Sequence, residues 1–158
     1  MRFSTLTLAA TLLAGAAAAD VVAPGDVKMG EYGEVEASLT GKPGNAAEGE
    51  KVMTSRGLGN CVACHQVSAL DYAPFQGNVG PALDGAADRW SEAELRGLLV
   101  NAKATFDGTM MPAYYKVDGF VRPGNAYTGK AATDDFGPLL TAEQIEDVVA
   151  FLSTLKYD

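Results

Sequence analysis

Cys61-Val62-Ala63-Cys64-His65 places two thiols and an imidazole within five consecutive residues, and the chain has no other cysteine and no other histidine. Two sulfurs separated by two residues can each form a thioether with one vinyl group of a haem, which brings the adjacent imidazole beneath the iron. The run reads as a covalent c-type haem site, with Cys61 and Cys64 as thioether residues and His65 as the proximal ligand. The same spacing serves thiol exchange or half of a zinc site. Thiol exchange lacks a preceding strand pattern here, and zinc lacks a second ligand pair, so haem is the reading carried forward.

A ligating imidazole must be neutral, and its other ring nitrogen usually donates to a carbonyl or carboxylate. Pro81, in Asn78-Val79-Gly80-Pro81-Ala82-Leu83, is a candidate carbonyl supplier; the alternative is that it only stiffens a turn. With no second histidine, the sixth ligand is sought among the methionines, whose soft thioether stabilises ferrous iron. Beyond the first residue these are Met29, Met53, Met110 and Met111. Met29 lies in an irregular segment and Met53 precedes the haem motif. Met111 stands before Pro112, which restricts its backbone to extended values and can aim the side chain inward. Met111 is the first assignment, Met110 the alternative, and an open sixth position or another ligand the third. Trp90, Phe106, Tyr114 and Tyr115 can line the haem cleft or serve as ordinary core. Asp134-Asp135 reads as a solvated face rather than a metal site.

Positioning these groups requires helices. The first is expected over residues 46–56, with Asn45 as cap, Glu48 three residues on, and Gly57 as terminator. Gly49 and Met53 share a face, so Gly49 either admits another helix closely or is a weak spot facing solvent. A second helix follows Ser91, with Glu94 closing a capping box, Trp90 and Leu95 as staple, and Leu95, Leu98 and Leu99 as its buried stripe. The last is expected over residues 142–155, capped by Thr141 with Gln144, and striped by Ile145, Val148, Val149, Leu152 and Leu155. The first and last helices should cross. Residues 120–140 are rich in Gly and Pro and should form a long loop. Residues 20–44 form an extended arm, laid over the domain or a partner, or left as a tail. No alternation is long enough for a sheet, so the fold class is all-α.

Residues 1–19 carry Arg2, a Leu/Ala-rich stretch and a small-residue run ending Ala17-Ala18-Ala19. This is the pattern of a cleaved signal peptide, and its apolar stretch is shorter than the roughly 20 residues a membrane span needs. The mature chain, without a span, is placed in the periplasm, and both cysteines are claimed by haem, leaving none for a disulfide. The formal net charge of −8 becomes more negative once Arg2 leaves. An acidic surface without an arginine-rich stripe argues against nucleic acid and anionic lipid as partners, and favours solubility or a basic docking face.

The helix before the haem motif, the run Gly80-Pro81-Ala82-Leu83, the Met111-Pro112 loop and the C-terminal helix around Val148-Val149-Ala150-Phe151-Leu152 resemble class I cytochrome c. The resemblance implies that fold for residues 45–158, preceded by the arm, with one covalent haem c. A narrower set, Gly57 to His65, Gly77-Asn78-Val79-Gly80-Pro81 and Gly108-Thr109-Met110-Met111-Pro112-Ala113-Tyr114-Tyr115, is similar to the SoxX family, the monohaem subunits of SoxAX cytochromes. In that family the methionine directly before proline is axial, which corresponds to Met111.

The SoxX resemblance implies a SoxA-like haem subunit that carries the catalytic cysteine, and a SoxYZ-like sulfur carrier. The complex would join thiosulfate oxidatively to the carrier cysteine, as an L-cysteine S-thiosulfotransferase, and release two electrons to a small cytochrome c acceptor. This chain would supply no sulfur nucleophile, so no catalytic residue is assigned to it. The alternatives are a freestanding periplasmic electron shuttle and a peroxidase-like open haem, the latter opposed by the methionine loop.

Overall fold

Asn45 begins helix α1 (Ala46–Thr54) by accepting the Ala47 N–H on its side-chain oxygen at 3.0 Å. Glu48 does not complete a capping box: it pairs with Lys51 at 2.7 Å. The Asn45 N–H donates instead to Asp147 Oδ1 at 2.7 Å, so a residue of the last helix finishes the start of the first. The helix ends before Arg56 because Ser55 is extended, and the N–H groups of Gly59 and Asn60 both turn back to the Val52 carbonyl. Those bonds saturate a carbonyl in the last turn and commit the chain to a turn rather than another helical residue.

The computed structural model describes residues 20–125, 127–133 and 136–157. The expected leader at residues 1–19 and the pair Asp134-Asp135 lie outside the described residues. A short helix, α2 (Ala86–Arg89), precedes α3 (Glu92–Asn101), and α4 (Ala142–Leu152) closes the chain. Both expected capping boxes form, Ser91 with Glu94 and Thr141 with Gln144. Helix α4 stops at Leu152 rather than 155, because the hydroxyls of Ser153 and Thr154 bond back to the Val149 and Phe151 carbonyls at 2.8 and 2.6 Å. Leu155 remains buried with Ile145, Val148, Val149 and Leu152, completing the stripe.

Helices α1 and α4 pack backbone against backbone at Gly49, where an added Cβ would lie 2.0 Å from the Asp147 carbonyl oxygen. Gly49 is therefore a contact point and not an exposed weak spot. On α3, Leu95 and Leu99 are buried, whereas Leu98 is half-buried.

Residues 20–44 contain one helical turn, at Pro24–Asp26, and lie against α3 and α4. Val35 and Leu39 are in the core, and the Val35 N–H donates to the Ala93 carbonyl at 2.9 Å. A buried ion pair secures this contact: Arg96 bonds both carboxylate oxygens of Glu146, at 2.8 and 3.1 Å, and donates to the Val35 carbonyl at 2.8 Å. Glu146 also accepts the Leu39 N–H at 2.7 Å, so both buried charges are met by groups of opposite polarity.

Between Tyr115 and Leu140 no helix forms among the described residues. One isolated antiparallel bridge joins Gly124 and Ala131, and Phe120 meets Phe136 edge to face at 5.6 Å. The architecture is all-α, and no described helix is long and apolar enough to cross a membrane.

Candidate haem site

The haem motif is shaped by Asn60, whose left-handed backbone (φ 48°, ψ 38°) turns the chain into a 3-10 turn at Cys61–Ala63. Asparagine tolerates that conformation better than most residues with a Cβ. The N–H groups of Cys64 and His65 both bond to the Cys61 carbonyl, which gathers the two sulfurs and the imidazole into one short turn. Tyr114 donates its hydroxyl to the Gly59 carbonyl at 3.1 Å and so fixes the approach to Cys61.

The chain after His65 folds back over the motif. Gly77, Gly80 and Leu83 donate to the carbonyls of Val62, Cys64 and Gln66. The Gln76 side chain stiffens the excursion by accepting the Val67 N–H at 2.7 Å and donating to the carbonyls of Val67 and Leu70. This return brings Pro81 to His65, and Nδ1 donates to the Pro81 carbonyl at 2.7 Å. A carbonyl can only accept, so Nδ1 carries a proton, and the neutral imidazole with that tautomer presents its Nε2 lone pair to a metal. Arg89 braces the same loop by donating to the carbonyls of Ala82 and Asp84 at 3.0 and 2.6 Å.

Cys61, Cys64, His65 and Met111 border one cleft of about 550 Å³, walled by apolar side chains that include Leu95, Leu99, Val148 and Leu152. That volume lies within the roughly 300–1,000 Å³ typical of cofactor sites. Met53 and Met110 also border it. Met53 is packed in the core, Met110 is 82% exposed, and Met111 is half-buried. Of the expected aromatics, Trp90, Phe106 and Tyr114 line the cleft. Tyr115 does not: it is buried elsewhere, with its hydroxyl donated to the Val22 carbonyl at 2.7 Å. Leu98 turns toward the cleft and not into the helix core, which accounts for its partial exposure.

Burial pushes the Cys61 thiol up to about 12, the nearby Cys64 adding to the rise. An interior that disfavours thiolate does not penalise a neutral sulfur such as a thioether. Tyr114 is likewise pushed up to about 12, first by burial and then by the charges of Cys61 and Cys64, so it stays a hydrogen-bond donor at neutral pH.

Residues 46–156 match cytochrome c, a span of most of the chain. The chain belongs to the cytochrome c family. Membership implies covalently bound haem c, and the structure suits it: two sulfurs and an imidazole with a free Nε2 open on a single apolar cleft. Among solved structures, this cytochrome c is similar to a chain in the crystal structure of SoxXA from P. pantotrophus. The two share 60% identity with a TM-score of 0.83, over 87% of this chain and 100% of that one. The SoxX resemblance read from the haem, glycine-proline and methionine segments is supported at that level, as is the class I cytochrome c fold. No curated protein matches the chain.

Sequence reasoning missed the close seat of Gly80 under His65, the Arg89 brace and the hold on Met111 described below. Only the glycine beside Pro81 was a local signal for any of these.

Proposed function

We propose that this chain is the periplasmic electron-transfer subunit of a SoxAX-type cytochrome. It would carry one haem c on Cys61 and Cys64, with His65 and Met111 as axial ligands. The observation that carries the reading is the 60% identity extending over the whole of the SoxXA chain. A bound haem supplies one-electron chemistry at iron, with ligands of the kind that poise an electron carrier.

The chain's own residues do the holding. His65 presents Nε2 because Pro81 occupies Nδ1, the apolar walls exclude water, and Tyr114 fixes the entrance to the cysteine turn. In the complex, a SoxA-like partner with its own haem and cysteine joins thiosulfate oxidatively to the carrier cysteine of a SoxYZ-like protein. Two electrons leave toward a small cytochrome c. This chain contributes no nucleophile, since thioether formation consumes both of its cysteines.

Two measurements test the reading. Copurification from the periplasm should yield a second haem subunit, and omission of this chain should impair thiosulfate-dependent electron release. A chain that stays monomeric beside a SoxA-like subunit, and whose omission has no effect, would be a freestanding shuttle instead. Met111→Ala should remove the methionine-to-ferric-iron absorption band while the haem stays attached; persistence of the band would transfer the assignment to Met110 or Met53.

A further inference from the structure

The residue assigned as the sixth ligand sits in a loop tied by backbone bonds at its two ends and by one turn bond before the methionines, from the Thr109 N–H to the Phe106 carbonyl at 3.2 Å. Before it, the Phe106 N–H reaches the Ala102 carbonyl at 2.8 Å; after it, the Tyr114 N–H reaches the Leu99 carbonyl at 3.0 Å. Between these anchors, Asp107, Gly108 and Met110 are exposed, and Gly108 takes a positive φ of 74°. Pro112 has no N–H with which to add a bond.

Side chains hold Met111 itself. Its N–H donates to Thr109 Oγ1 at 3.3 Å, and its carbonyl accepts from Lys103 Nζ at 2.8 Å. Lys103 belongs to the 3-10 turn Ala102–Ala104, which directly extends α3, so its backbone is fixed to the helix that walls the cleft. An exposed lysine is ordinarily a solvated charge. Here its ammonium makes a short, charge-assisted bond to the carbonyl of the very residue whose side chain must stay on iron.

We propose that Lys103 is a positioning residue for the sixth ligand, pinning the Met111 backbone to the end of α3 so that the methionine loop resists opening. The proposal rests on the His65/Met111 assignment. A displacement of the methionine that carries the loop backbone outward breaks the Lys103 bond. The bond therefore favours the ligated state over the displaced one, which is the differential needed to shift the equilibrium between them. Because the lysine is exposed and water competes for it, loss of the bond should change the equilibrium by about three- to tenfold.

The test uses the haem-loaded ferric protein with imidazole as the competing ligand. The parent is compared with Lys103→Met, Lys103→Gln and Lys103→Arg, following the methionine-to-iron absorption band and thermal melting. Lys103→Met and Lys103→Gln should both bind imidazole about three- to tenfold more tightly than the parent, losing the band at correspondingly lower imidazole. Lys103→Arg, which keeps a cationic donor, should return to within about twofold of the parent. Equal imidazole affinity in the parent and both neutral variants would overturn the role of Lys103 while leaving the ligand assignment standing. A lowered melting temperature with unchanged affinity, or failure of arginine to rescue, would overturn it also, since either indicates general stability and not hold on the ligand. Absence of the band in the parent would overturn the Met111 assignment and this proposal together.

Discussion

Nδ1 of His65 donates to the carbonyl oxygen of Pro81 at 2.7 Å, and the glycine between that carbonyl and the haem motif is what allows the two to meet. A Cβ on Gly80 would lie 2.3 Å from Cε1 of the His65 ring and 2.7 Å from Nε2. The ring is flanked by a bond on one edge and by bare backbone on its face. Its orientation is thus set by the absence of a side chain as much as by the presence of a carbonyl.

Gly80→Ala should therefore displace the imidazole. The ring can relieve the contact only by leaving Pro81, and the overpacking should cost about 1–3 kcal/mol. Chemical denaturation would measure the loss, and the haem-loaded variant should depart from a low-spin absorption spectrum. Unchanged stability together with an unchanged spectrum would show that the ring has room to move.

At the helix crossing two effects oppose each other. Gly49→Ala gains about 1 kcal/mol of helix propensity. The new methyl would meet Phe151 Cβ at 3.0 Å and, at 2.0 Å, the Asp147 carbonyl oxygen, a backbone neighbour that cannot rotate aside. Sterics should win, because α1 and α4 must separate along their whole contact. We expect a net loss of about 1–3 kcal/mol in denaturant unfolding, and a neutral or stabilising result would mean that the helices shift at little cost.

Glu146→Gln should destabilise more than either glycine change. It leaves the buried Arg96 guanidinium without its countercharge, and removal of one member of a buried pair costs roughly 3–5 kcal/mol. The glutamine oxygen can still accept the Leu39 N–H, which places the expected loss toward the lower end. Residues 20–44 should also become more open to limited proteolysis, because Val35 and Leu39 are both bonded to this pair.

Glu94 supplies a pH signature. Its carboxyl is held below the usual range by hydrogen bonds from the Ser91 backbone and then from the Ser91 side chain. A depressed folded-state value means that the stabilisation is complete above the unfolded-state value of about 4.3 and fades as pH falls through the folded one. The stability gap between the parent and Glu94→Gln should therefore be constant near neutrality and shrink under acid conditions. A gap that does not change between pH 7 and pH 3, roughly the span bracketing that value, would show that the capping bonds are not linked to ionisation.

The amino-acid sequence by itself determined those features that depend on residues a few positions apart and meet no distant competitor. The two sulfurs and the imidazole share one turn because their spacing is local. Ser91 with Glu94 and Thr141 with Gln144 build their capping boxes across three residues, and the α4 stripe follows from helical period alone. Local rules failed where distant groups competed. Asn45 found Asp147 in place of Glu48, α1 ended early because Gly59 and Asn60 turned back to Val52, and Tyr115 went to Val22 instead of the cleft. Only the tertiary structure decided that residues 20–44 would lie on α3 and α4, through bonds such as that of Leu39 to Glu146, 107 positions away. The same holds for the hold of Lys103 on Met111, whereas Pro81 was already a candidate partner for His65 in the sequence and the structure chose that role over a merely stiffened turn. A hydrogen-bond donor carries no sequence mark of its acceptor when folding, not chain proximity, brings the two together, and burial then selects the pairs that leave no polar group unmet.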